Sequence, residues 1–297
     1  MNYADRLEAA VRAKGNPCAV GLDPHTDLVP EEFAVARDPA APRAERARAV
    51  GDFLVRVIEL VAERVPAVKP QSAFFEALGA DGALAWERVV RAARDAGLLV
   101  IGDVKRGDIG STAAAYARAF LESDEAPCDA ITVNPLLGRD SIEPFLEAAA
   151  RTGGGIYVLV RTSNPGSADF QAAGARGEPS LSTRIADAVA EWGAGLVGEC
   201  GFSALGAVVG ATHPRELARL RERMPRAPLL LPGYGAQGAG PADVVPGFVE
   251  GRGALVSSSR AVLFAHRSRP QLAWPDATRA ALDEMVGAIK GALGNPR

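Results

Sequence analysis

Eight short apolar runs, each followed by a stretch of helical periodicity, constrain this 297-residue chain more than any other feature. The runs fall at residues 18–23, 67–72, 98–105, 130–134, 155–163, 205–210, 228–232 and 254–258. Between them the apolar spacing predicts helices over 44–65, 78–96, 111–121, 141–151, 181–194 and 214–224, with a last one over 277–293. Strands alternating with helices in this way are the pattern of parallel βα units. Eight such units in one chain predict a closed (β/α)8 TIM barrel of the α/β class rather than an open doubly wound sheet. No G-x-G-x-x-G follows the first run, which counts against a dinucleotide fold. No linker divides the chain, so residues 1–297 are expected to form a single domain. It would carry an N-terminal helix over about 2–14 and a long excursion over about 164–195 after the fifth strand. Pro70 is expected just past the second strand, and residues 30–42 read as a Pro/Ala-rich, acidic connection.

Composition narrows the partners. A hydrophobic content of 48%, a charged content of 23% and a net charge of −3 describe a globular surface that is not basic. Neither nucleic acid nor an anionic membrane is an expected partner. Cys18, Cys128 and Cys200 have no metal-binding spacing and cannot all pair, so no zinc site or disulfide framework is expected. The first 15 residues read as a polar amphipathic helix rather than a signal peptide, and no apolar run is long enough to span a bilayer. A reduced, cytoplasmic location fits these features.

In a barrel of this kind the site forms at the carboxyl ends of the strands. The polar residues that end the runs should therefore converge: Asp23, Lys69, Asp103, Lys105, Thr132 or Asn134, Ser163, Gln237 and Arg260. The third run carries the most charge. In LLVIGDVKRGDIGST (98–112), period two puts Leu99, Ile101, Asp103 and Lys105 on one face. An isolated D-x-K at a strand end is as readily a salt bridge as a site. Burying such charges is nevertheless costly unless they are paired or used. Asp103, Lys105 and Asp108, with Lys69 opposite, form an alternating series. A lysine set between carboxylates is favoured in its charged form, which suits a proton donor rather than a Schiff-base nucleophile. The seventh run leads into PGYGAQG (232–238) and the eighth into Ser-Ser-Ser-Arg (257–260). Glycines there would let backbone N–H groups approach an oxyanion, and Arg260 offers a fork for it. A phosphorylated small molecule is the implied ligand.

The run D-V-K-R-G-D-I-G-S-T (103–112) matches the signature D-x-K-x-x-D-[IT]-[GP]-x-T, and the chain resembles the orotidine 5′-phosphate decarboxylase family. Gly21-Leu22-Asp23, Lys69, Ser163-Asn164-Pro165-Gly166, residues 232–238 and Arg260 follow in the family's order, so the resemblance covers about residues 18–262. The length, Lys69-Pro70-Gln71 and the 164–195 segment are similar to the longer bacterial (type 2) subfamily. The resemblance implies a cofactor-free, metal-free decarboxylation of orotidine 5′-monophosphate to uridine 5′-monophosphate. Asp103 would face the substrate carboxylate, and Lys105 would protonate the carbanion left at C6. Lys69 would hold the ribose and the neighbouring carboxylate, and Asp23 a ribose hydroxyl. Ser163 would bond the pyrimidine, while Gln237 and Arg260 would bind the phosphate. Asn134, Gly235 and Ser259 complete the expected substrate-binding set. Asp108 and Thr112 would reach into the site of a second subunit, which implies a homodimer. Ser259 departs from the family's commoner glycine before the arginine.

Three other readings compete. A metal-dependent sugar-phosphate synthase or decarboxylase of the same superfamily would need a carboxylate at the end of strand two, where Pro-Gln-Ser follows Lys69. A Schiff-base aldolase is disfavoured by Asp103 beside Lys105. A non-catalytic phosphate-binding barrel would be expected to have lost Asp103, Lys105 or Asp108. His25, His213 and His266 read as surface residues, Trp86, Trp192 and Trp274 as helix packing, and Glu76 as a solvated loop carboxylate.

Overall fold

In the computed structural model, which describes residues 1–174 and 178–294, eight parallel strands close into a barrel in sequence order. They are β1 (Cys18–Leu22), β2 (Ala67–Pro70), β3 (Leu99–Arg106), β4 (Ala130–Val133), β5 (Gly155–Arg161), β6 (Leu205–Val209), β7 (Leu229–Leu231) and β8 (Ala254–Ser258). Each strand pairs with the next around the ring, with register shifts between β3 and β4 and between β5 and β6, and β8 closes on β1 through Cys18 opposite Val256.

The helices are α1 (Tyr3–Lys14), α2 (Arg43–Val61), α3 (Ser72–Glu76), α4 (Gly79–Asp95), α5 (Gly110–Leu121) and α6 (Arg139–Thr152), followed by α7 (Leu181–Trp192), α8 (Pro214–Arg223), α9 (Pro241–Val244), α10 (Arg260–Leu263) and α11 (Trp274–Leu293). None of them is long and apolar enough to cross a membrane.

Alternation along the strands splits the interior into two cores. Outward residues such as Val20, Val68, Val100 and Ile131 pack under the helix ring with Phe53, Leu54 and Ile58 of α2. Inward residues Ala19, Ala67, Leu99, Ile101, Ala130, Tyr157, Leu230 and Leu255 fill the barrel. Leu99 and Ile101 thus share the inner face, as period two requires.

Helix α1 closes the amino-terminal end of the barrel. Asn2 and Asp5 form a reciprocal capping box, and the helix buries Tyr3, Ala4 and Leu7. The Tyr3 hydroxyl lies 3.0 Å from that of the inward Tyr157. Each such buried side chain contributes about 1.5–3 kcal/mol. The plug leaves the opposite end open.

Three local expectations are corrected. Pro70 ends β2 instead of following it, paired with Leu22, and the ladder continues through the Gln71 N–H to Leu22 O at 3.3 Å. The ladder therefore bypasses the missing proline donor and does not end at it. Residues 31–37, within the expected connection, form a 3₁₀ helix. Its buried Phe33 packs against Phe53 and Trp274, an apolar anchor that outweighs the Pro/Ala composition around it. Helix α3 was not legible, being too short to show a helical period.

Candidate active site

The carboxyl ends of the strands surround a cavity of about 440 Å³. Of the residues expected there, Asp23, Lys69, Asp103, Lys105, Thr132, Ser163, Gln237, Ser259 and Arg260 line it. Gly235 lies just outside the lining, against Ala261. Asn134 also lies outside: it is exposed, and its side chain accepts from the Leu136 N–H at 3.0 Å, so Thr132 is the fourth strand's contribution. Asp108 and Thr112 are not in the lining either. The Asp108 carboxylate accepts from the Ile109 N–H, and Thr112 is exposed on the first turn of α5.

Asp103 is the hub. Its Oδ2 accepts from Lys69 Nζ at 2.7 Å and from Gln71 Nε2 at 3.0 Å. Its Oδ1 accepts from Lys105 Nζ at 2.5 Å and from the Thr132 hydroxyl at 3.0 Å. Burial alone would raise the carboxyl pKa, but Lys69 and then Lys105 outweigh it and hold Asp103 far below the usual carboxylate range. Burial likewise works against the Lys69 ammonium, and Asp103 with Asp23 more than offsets it, so its pKa is raised. The two lysines differ in access. Both line the cavity, but the Lys69 side chain is 6% exposed and that of Lys105 44%, so Lys105 is the more accessible of the two.

Local backbone aims these groups. Between the pairs Gly102–Ile131 and Arg106–Val133 the β3–β4 register shifts, leaving residues 103–105 opposite Thr132 alone. Bulges of this kind re-aim side chains at strand ends. Lys105 adopts φ +45°, a left-handed conformation that costs a residue with a Cβ about 1–3 kcal/mol. Its N–H is held by the Thr132 hydroxyl at 2.9 Å.

The other end of the cavity suits an anion. In the loop after β7, Gly233, Gly235 and Gly238 all have positive φ, closing a tight turn through Gly238 N–H to Gly235 O at 2.8 Å. Arg260, exposed at the start of α10, makes no ion pair with any described residue. Ser259, where the family more commonly has glycine, requires glycine at position 21. Its hydroxyl occupies the space over Gly21, where an added Cβ would lie 1.9 Å from Oγ. Asp23 Oδ1 is buried and has no hydrogen-bond partner among the described residues, leaving an acceptor in the cavity wall.

Several residues were missed from sequence. Gln71 bonds Asp103, and its position two residues after Lys69, on the same strand face, was the available signal. Thr162 and Asn164 line the cavity in the loop after β5. That loop is tied to the excursion that follows it: Gln171 Oε1 accepts from the Thr162 N–H at 2.8 Å, and the buried Arg161 bridges Glu216 at 2.6 Å and the Ser167 hydroxyl. Residues 175–177 of the excursion fall outside the described residues. Glu76 is not a free carboxylate. It pairs with Arg106, and although burial works against the carboxylate, the bonds from Arg106 and Ser72 together with the Arg106 charge lower its pKa. The three histidines are half-buried rather than at the surface, and none lines the cavity. His25, for example, packs edge-on against Phe74 at 4.7 Å.

The profile of the Orotidine 5′-phosphate decarboxylase / HUMPS family matches residues 17–272. A curated relative from Rhodopirellula baltica, named orotidine 5′-phosphate decarboxylase, is 43% identical over 98% of this chain and all of its own. One of the same name from Deinococcus radiodurans is 50% identical over 78% of this chain and 84% of its own. Among solved structures, the OMP decarboxylase of Leishmania donovani superposes with a TM-score of 0.76 at 31% identity over 99% of both chains, and the UMP synthase of the same organism with a TM-score of 0.77 at 32% identity over 99% of this chain and 57% of its own. With Asp103, Lys105 and Asp108 in its third βα unit and the barrel closed around them, this chain belongs to the orotidine 5′-phosphate decarboxylase family.

Proposed function

We propose that the chain converts orotidine 5′-monophosphate to uridine 5′-monophosphate and carbon dioxide without a cofactor, a carbon–carbon lyase step of pyrimidine nucleotide synthesis in the cytoplasm. The observation that carries this reading is the Lys69–Asp103–Lys105 array on the cavity wall, with Lys69 and Asp103 buried and Lys105 the more accessible lysine. Loss of carbon dioxide breaks the bond from C6 to the carboxyl carbon and leaves an electron pair at C6 with no adjacent electron sink. Lys105 Nζ, fixed beside Asp103, stabilises that pair as it develops and then delivers a proton to it. Asp103 lies against the departing carboxylate and favours its exit as neutral carbon dioxide. The free acceptor of Asp23 suits a ribose hydroxyl, Ser163 the pyrimidine, and Arg260 with the glycine turn the phosphate. Binding energy gathered at the phosphate holds the reacting end in place. The sugar-phosphate alternative is disfavoured, because the end of β2 presents Lys69 and Gln71 as donors that already occupy Asp103. One-to-one release of carbon dioxide and uridine 5′-monophosphate from the purified protein tests the reaction. Failure to release either contradicts it.

Arg260→Ala is expected to raise KM by about 10- to 100-fold, the loss of one charge-assisted bond to phosphate. Steady-state kinetics check this, and a KM within twofold of the parent's would contradict the phosphate assignment.

The proposed active unit is a homodimer in which Asp108 and Thr112 complete the neighbouring site. Exposed Ile109, Leu136 and Leu137 support it: 54%, 76% and 54% accessible, they sit on the adjoining loops after β3 and β4. Lys105→Ala and Asp108→Asn should each be inactive alone. Refolded together in equal amounts, they should regain about a quarter of the parent activity, since half the dimers are hybrids with one intact site of two. No recovery would place Asp108 in its own subunit's site.

A further inference from the structure

We propose that Thr132 is a positioning residue for the reaction, a single hydroxyl that holds both Asp103 and the backbone of Lys105 in their working geometry. The inference rests on the reading of Asp103 and Lys105 as the reacting pair. Thr132 is buried on β4 and stands alone opposite residues 103–105, where the register of β3 against β4 slips. A ladder that slips there leaves the Lys105 N–H without a strand partner, and the Thr132 Oγ1 accepts it at 2.9 Å. The same oxygen donates its hydrogen to Asp103 Oδ1 at 3.0 Å. A hydroxyl can do both at once, accepting through a lone pair and donating its one hydrogen. Among the described residues, no other side chain bonds to both at this point.

The consequence is specific to chemistry rather than binding. Lys105 sits at φ +45°, which a residue with a Cβ leaves unless its surroundings hold it. Without the Thr132 oxygen, the lysine backbone relaxes toward ordinary strand values. Lys105 Nζ and Asp103 Oδ1, 2.5 Å apart in the parent, then lose their common alignment. Asp23, Gln237 and Arg260, proposed for the ribose and phosphate, follow β1, β7 and β8 and do not depend on this bond. Misplacement of a reacting group by about 1 Å costs on the order of 100-fold in rate.

Thr132→Val keeps the shape of the side chain and removes both bonds, while Thr132→Ser keeps the hydroxyl and loses only a methyl group. The valine variant should fold and should bind uridine 5′-monophosphate with little change. Its kcat should fall about 30- to 100-fold with KM within about threefold, and the serine variant should recover kcat to within about threefold. Equal effects on kcat and KM, or a serine variant as slow as the valine one, would make Thr132 a packing residue and overturn the proposal. A crystal structure of the valine variant supplies a readout independent of turnover. Lys105 should have left the left-handed region, and an unchanged φ near +45° overturns the proposal even if the decarboxylase reading holds. If the parent protein does not turn over the nucleotide, the decarboxylase reading fails and the proposal fails with it.

Discussion

Lys105→Ala is expected to lower kcat for decarboxylation by about 10⁴-fold or more, because in the proposed mechanism one change removes both the proton donor and the charge that stabilises the C6 carbanion. Uridine 5′-monophosphate should still bind within about tenfold of the parent, since the residues proposed to hold its phosphate and ribose line other parts of the cavity. Lys105→Arg does not rescue. A planar guanidinium cannot occupy the place of Nζ against Asp103 Oδ1, and it does not give up its proton at neutral pH. Single-turnover kinetics beside product titration check the split. A variant that keeps activity within 100-fold would remove Lys105 from the chemistry.

Asp103→Ala has the second large effect, and it acts on stability as well as rate. The carboxylate balances two lysines, and one of them, Lys69, is buried. Removing it strands a buried cation, at a cost of about 3–5 kcal/mol. For a chain of this size that is a fall in melting temperature of about 6–15 °C. The pH dependence has a definite sign. Asp103 is held well below its unfolded value, so its contribution is present above about pH 4 and is lost as the pH falls through the lowered folded value. The raised Lys69 value acts in the opposite range, with its contribution present below about pH 10 and lost as the pH rises further. Parent and variant should therefore differ most between these limits, and the gap should close on acidification below about pH 4. Thermal melts across pH check it. A gap that widens toward acid would contradict the assignment of Asp103 as the ionised centre of the array.

The barrel was legible because each strand is a short apolar run bounded by turn residues and each helix a separate periodic stretch. The strand ends were legible for the same reason: a polar residue closing an apolar run has one place to go in a parallel barrel. That logic placed Asp23, Lys69, Asp103 and Lys105 on the cavity wall. It failed where side-chain direction depends on register. Thr132 and Asn134 are equivalent by alternation alone, and the choice between them follows from β4 ending at Val133, after which Asn134 turns out to solvent. Gln71 was hidden behind Pro70, which reads as a strand terminator although the ladder passes through it. The left-handed turn at Lys105 has no sequence signal, because nothing in D-V-K-R announces a positive φ at lysine.

The most direct test of the central claim is the loss of ultraviolet absorbance when orotidine 5′-monophosphate is added to chelator-treated protein, run beside Lys105→Ala. A parent enzyme that turns over fully after chelation, with the variant silent, is the result expected of preorganised charge acting alone. Turnover that appears only when magnesium is restored would contradict it and assign the barrel to metal-dependent sugar-phosphate chemistry.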